Sequence, residues 1–218
     1  MSVLDNLLSV IYFAVALLIA LVAHEYAHAW TAVRLGDQTP KQAGRLSLNP
    51  KPLVDPFGTL ILPAILLLPV LFGGGLFPVF GYAKPMPLNP WSLRRGERDV
   101  TIVALAGPVI NLVLAFIFGL LFRVLAGSAP PADLILRCLQ VNVILAVIHL
   151  VPIPPLDGAR LIARFLPPRA REVYANLDQY GALFILLIFF LLPGPIFAFV
   201  DVIGNGVCSL VVGAACLG

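Results

Sequence analysis

The sequence predicts an all-α multi-spanning membrane protein: a helical bundle of about five to six transmembrane segments, with a re-entrant or hairpin element and room for short β-strands. Three observations carry this expectation. Of the 218 residues, 60% are hydrophobic and only 11% charged, with a mean hydropathy of +1.00; soluble domains carry about a quarter charged residues. Residues 6–23 hold no charge at all, a run long enough to be read as a membrane span. Further apolar runs then recur, parted by short polar or proline-rich stretches. No internal repeat, long polar linker or soluble appendage interrupts them, so residues 1–218 are expected to form a single domain.

Taken in order, the first helix is expected from about Leu4 to Arg34, enough to cross a hydrocarbon core of roughly 30 Å. Its only early charge is Asp5, not the basic start of a cleaved leader, so it reads as a retained span. Residues 36–56 are polar and punctuated by proline, fitting a short strand or an extended loop. Residues 57–80 are apolar but broken by Pro63, Pro69, Gly73-Gly74-Gly75 and Pro78. A basic loop runs from Gly81 to Asp99. Helices are expected over Val100–Phe122 and Leu134–Val151, the second ending in Pro152-Ile153-Pro154-Pro155-Leu156-Asp157-Gly158. After a basic loop, Arg160 to Arg171, come apolar segments at Gly181–Leu192 and Ile196–Leu217, parted by Pro193-Gly194-Pro195.

The positive-inside rule arbitrates the broken stretch. If 57–80 enters and returns on one side, Arg34, Lys41, Arg45, Lys51, Lys84, Arg94, Arg95, Arg98, Arg160, Arg164, Arg169 and Arg171 share a face. That is twelve of the 14 Lys and Arg, with Arg123 and Arg137 opposite. A single crossing would split them far more evenly. The hairpin is therefore expected, and it also brings Asp157 to the face of His28. Non-helical backbone at membrane depth is tolerable only when covered by protein or lining a cavity.

The chemistry lies in His24-Glu25-Tyr26-Ala27-His28. Residues four apart share a helix face, so both imidazoles can reach one metal ion, with Glu25 beside them to act on a bound water. Ionisable groups at membrane depth are costly and point to function. A catalytic zinc takes three protein ligands and leaves a position for water. Candidates for the third are His149, Asp157 and Asp201; Asp157 is preferred, in a proline-braced turn with Gly158 behind it to permit an unusual backbone angle. The bland alternatives are histidines packed in a polar core, and Asp157 as the N-cap of a helix from Gly158 to Phe165. Cys138, Cys208 and Cys216 lack C-x-x-C spacing and read as apolar packing residues. The net charge of +3 is small, and no basic run interleaved with aromatics suggests a nucleic-acid surface.

Four blocks together resemble the site-2 proteases, intramembrane zinc metalloproteases: His24-Glu25-Tyr26-Ala27-His28; Gly81-Tyr82-Ala83-Lys84-Pro85-Met86-Pro87-Leu88-Asn89-Pro90; Ala106-Gly107-Pro108-Val109-Ile110-Asn111; and Pro152 to Gly158. The resemblance implies His24, His28 and Asp157 as ligands of one Zn2+ per chain and Glu25 as general base. The four blocks span residues 24–158; the catalytic core is expected over about 4–166, followed by a hydrophobic hairpin of about 180–217 that adds no motif. The resemblance further implies cleavage of transmembrane protein substrates within the lipid bilayer, in a multi-pass cell-membrane protein whose site lies near the cytoplasmic face. The chain departs from the family at one position, carrying His149 where the family has Asn eight residues before the ligand Asp. His149 is expected to be catalytic, giving a hydrogen bond to the developing oxyanion; the alternative is a fourth ligand that closes the open position.

A substrate helix must unwind before its carbonyls can be attacked, so 36–56 or 81–90 is expected to offer an extended edge for strand addition. No PDZ-like or nucleotide-sensing domain is expected. The competing readings are a catalytically silent zinc-binding scaffold and a transporter, the latter weakened by the lack of repeat halves. Basic loops without an organellar leader fit a prokaryotic plasma membrane.

Overall fold

The structure, a computed structural model, describes residues 3–71, 83–125, 131–178, 180, 181, 187, 191 and 193–217. Among the described residues every regular element is helical and there is no strand. Helix α1 is Val3–Leu35, α4 is Glu97–Leu125 and α5 is Pro131–His149. These three are long and apolar enough to cross a membrane, and they pack on one another.

Small residues let the helices approach. Ala16 and Ala20 of α1, one turn apart, join Leu17 and Leu21 against Cys138, Val141 and Leu145 of α5. Without a hydrophobic drive between helices in lipid, such close backbone packing is what holds a pair together. A second cluster joins Ala115 of α4 and Leu139, Val143 and Val147 of α5 to Val200, Cys208 and Val211 of helix α8, Pro193–Val212. Gly119 makes this seam possible, since a Cβ there would overlap Val211. The opposite faces expose Leu7, Leu8, Ile11, Val15, Leu18 and Ile19 on α1, and Val109, Val113, Phe116 and Leu120 on α4. Continuous apolar stripes of this kind belong against lipid rather than water. The chain is a membrane protein.

Residues 36–56 correct the expectation of a strand. They form a short helix α2, Thr39–Gln42, a 3-10 turn at Lys51–Leu53 and the start of a π-type segment, Pro56–Ile61, that leads into α3, Leu62–Leu71. Pro40, Pro50, Pro52 and Pro56 remove the N–H donors a ladder would need. The buried carboxylate of Asp37 ties this stretch to the next loop, accepting from the Thr39 N–H and hydroxyl and from the Asn89 N–H. The chain leaves at Leu53 and is back beside it at Lys84, whose N–H donates to the Leu53 carbonyl at 2.9 Å. Arg45, buried, donates to the carbonyls of Lys84 and Pro85. The centre of the broken segment, Gly73-Gly74-Gly75 and Pro78 included, lies outside the described residues, as do Gly81 and Tyr82.

The expected basic loop at 160–171 is mostly helical: α6 is Asp157–Ala163 and α7 is Pro168–Asp178. Arg171 donates to the carbonyls of Ala163, Arg164 and Leu166 and pairs with Glu97, which fastens α6 to the start of α4. Helix α8 is described from Pro193, ahead of the expected Ile196. Most of the expected segment 181–192 lies outside the described residues. Cys208 and Cys216, read from sequence as separate packing residues, are bonded to each other, while Cys138 is free and buried. The turn after α8 brings them together: Asn205 accepts from the N–H groups of Cys216 and Leu217.

Candidate metal centre

Helices α1, α4 and α5 and the start of α6 meet around His24, His28 and Asp157, all three buried. His24 lies eleven residues before the end of α1 at Leu35, roughly 16 Å along the axis. The two histidine Nε2 atoms are 2.9 Å apart, and Asp157 Oδ2 lies 3.1 Å from one and 3.2 Å from the other. Ligand atoms around a tetrahedral zinc, about 2.0–2.2 Å from the ion, stand about 3.3 Å from each other. The three donor atoms already have nearly that spacing.

Protonation makes the case stronger. His28 Nδ1 is 2.7 Å from the Val103 carbonyl, which only accepts, so that nitrogen carries the hydrogen. His24 Nδ1 is 2.6 Å from Asn111 Oδ1 and likewise donates. In the neutral form of both rings, which metal binding requires, the Nε2 atoms present lone pairs, aimed at each other and at a carboxylate oxygen. Asp157 Oδ2 faces these two nitrogens at 3.1 and 3.2 Å. Three lone pairs converging in a buried site call for a cation between them. Glu25 adds a second sign: its Oε2 is buried and, among the described residues, without a hydrogen-bond partner, as suits a group that must reach water or substrate.

Local sequence explains the cradle. Pro108 lies inside α4, where it removes the ladder N–H to the Ala104 carbonyl; one residue before that, the Val103 carbonyl accepts from His28. Gly107 faces the ring edges, and a Cβ there would overlap Nε2 of both histidines. Asp157 is the first residue of α6, whose N-cap is Leu156 without a side-chain cap bond. The N-cap alternative is thereby corrected: the carboxylate is free to point into the bundle. Gly158 is also corrected. It has no positive φ; it is glycine because a Cβ would strike the carbonyls of Leu150 and Val151.

The structure thus brings together His24, Glu25, His28, His149 and Asp157. His149 Nδ1 is 2.8 Å from Asp157 Oδ2, and the donors of His24, His149 and Asp157 lie within 4.8 Å of one another. His28 Nε2 lies 2.9 Å from His24 Nε2 and 3.2 Å from Asp157 Oδ2, so both His28 and His149 stand within reach of the same place. Sequence reasoning missed the roles of Val103, Gly107 and Asn111. The signal was there in part: Gly107 and Asn111 repeat the four-residue spacing of the two histidines.

Over 187 residues the chain is 36% identical to "Putative zinc metalloprotease YwhC" of Bacillus subtilis, covering 82% of the chain and 80% of that relative. The chain belongs to the site-2 protease family. To "Putative zinc metalloprotease Rip2" of Mycobacterium tuberculosis it is 34% identical over 176 residues, 79% of the chain but 64% of that relative, so it spans less than two thirds of Rip2. No family model and no solved structure matches it. For this site-2 protease the relatives' names point to a zinc metalloprotease, in keeping with the buried His-His-Asp cluster.

Proposed function

We propose that this site-2 protease is a zinc-dependent intramembrane endopeptidase that cuts peptide bonds in or near transmembrane segments of other membrane proteins, as in regulated intramembrane proteolysis. The observation that carries the reading is the convergence of three lone-pair donors, on apolar helices, beside the unpartnered carboxylate oxygen of Glu25. His24, His28 and Asp157 hold one zinc. When bound, it supplies Lewis-acid polarisation of a water molecule and of the scissile carbonyl. Glu25 accepts the proton released by the attacking water and returns it to the leaving amine. The Val103 carbonyl and Asn111 keep the two imidazoles in the tautomers that leave Nε2 free.

His149 gives its Nδ1 hydrogen to Asp157, because an ionised carboxylate only accepts. Its remaining nitrogen then serves the oxyanion as a donor when the ring carries both hydrogens. Asn at this position has two N–H bonds for the same pair of acceptors. His149→Asn should therefore keep its zinc and stay near wild-type activity, while His149→Leu should lower kcat by about 10²-fold. A His149→Asn enzyme far more active than wild type at equal zinc content would instead mark His149 as a ligand that closes the open position.

The return of the chain from Leu53 to Lys84 favours a hairpin that enters and leaves on one side. With the charge asymmetry, it favours a multi-pass cell-membrane protein with its site near the cytoplasmic face. Residues 83–88 run without helix, held by Arg45 through Lys84 and Pro85, which suits pairing with an unwound substrate by strand addition. Purified in detergent, the protein should carry one zinc per chain and cut a transmembrane peptide, losing both on chelation and regaining both with added zinc. Stoichiometric zinc without any cleavage across a panel of transmembrane substrates would favour the silent scaffold.

A further inference from the structure

Beyond the ligands, a chain of buried amides crosses all three long helices. Asn111 on α4 and Asn142 on α5 are both fully inaccessible. Asn142 Nδ2 donates to the Cys138 carbonyl at 2.8 Å, so its oxygen must face the other way. That oxygen accepts from Asn111 Nδ2, also at 2.8 Å, and the same Nδ2 donates to the Ala20 carbonyl of α1 at 3.2 Å. With both of its N–H bonds taken, Asn111 can turn only Oδ1 towards His24 Nδ1, 2.6 Å away. Two backbone carbonyls thus determine two amide orientations, and these determine which nitrogen of His24 bears hydrogen.

Resting on the zinc reading above, we propose that Asn111 and Asn142 are positioning residues of the metal centre, acting as a relay that holds His24 as the Nδ1–H tautomer with Nε2 aimed at the ion. Neither residue touches substrate or metal. The bland account is that two asparagines merely bond apolar helices together, as polar side chains do in membranes. The two accounts separate at the acceptor. Asn111→Asp keeps an oxygen for His24 and loses the N–H bonds to Ala20 and Asn142. Asn111→Leu loses both. Asn142→Leu leaves Asn111 in place but frees its amide to turn.

The test measures zinc affinity by chelator competition on the full chain in detergent, with the visible spectrum of the Co2+-loaded protein and separate kcat and KM values on a transmembrane peptide. Loss of a partner behind a metal-bound histidine typically costs about 10–100-fold in metal affinity. Asn111→Leu should show that loss and a changed Co2+ spectrum, whereas Asn111→Asp should hold zinc nearly as wild type does. Asn142→Leu should fall between them, with kcat lowered and KM little changed. If Asn111→Leu does not fold, Asn142→Leu decides: weakened zinc supports the relay, and unchanged zinc overturns it. Equal loss in Asn111→Leu and Asn111→Asp, tracking their thermal midpoints, would also overturn it in favour of a helix clamp. A wild-type protein that binds no zinc would sink the metalloprotease reading itself, a result these variants cannot imitate.

Discussion

Glu25→Gln should lower kcat by about 10²–10⁴-fold, the usual worth of a positioned general base, and leave bound zinc unchanged. The amide has the size of the acid and cannot accept the proton. Glu25 follows His24 in α1, and its Oε2 has no hydrogen-bond partner among the described residues, so no bond to that oxygen is lost by the change. The buried acid is costly to the fold, and neutralising it should hold or raise the thermal midpoint. Fragment analysis by mass spectrometry in cells expressing wild type or Glu25→Gln would show which membrane proteins are cut. Equal fragment patterns, with expression and zinc matched, would remove Glu25 from the chemistry and strengthen the scaffold and transporter alternatives.

The parts of the fold legible in the sequence were those set by solvent. The uncharged run at 6–23 and the apolar stretch after Asp99 specify α1 and α4 because lipid leaves the backbone no other partner than itself. His24 and His28 were legible because helical spacing alone puts them on one face. Asp157 required the topology as well, since helical spacing alone does not bring it to the histidines. What stayed hidden depended on distant partners. Residues 36–56 look extended in a local reading, but proline spacing and the buried Asp37 carboxylate wind them into short turns against Asn89. The basic stretch after Gly158 reads as loop until Arg171 is seen to collect the carbonyls at the end of α6. Val103 could not be found at all, since a backbone carbonyl carries no sequence signal.

Gly107 is where fold and chemistry cannot be separated, and Gly107→Ala should abolish zinc binding and proteolysis together. Alanine is the better helix former by about 1 kcal/mol, so on propensity alone the substitution would stabilise α4. Against that, the new methyl group would overlap Nε2 of both His24 and His28, the two lone pairs that must face the ion. Neither ring can retreat freely, because Nδ1 of each is engaged by Asn111 or Val103. The methyl group therefore displaces the ligands or the ion, and metal affinity should fall by more than the roughly 10–100-fold of an outer-shell change. Gly206→Ala provides the matched control: it is the same substitution within a helix, with nothing in 4 Å of the added carbon, and should leave zinc and activity intact. Zinc content, thermal midpoint and cleavage measured on both variants would decide it. A Gly107→Ala protein that keeps its zinc would show that the imidazoles converge somewhere other than against this turn of α4, and the coordination drawn from His24, His28 and Asp157 would have to be abandoned.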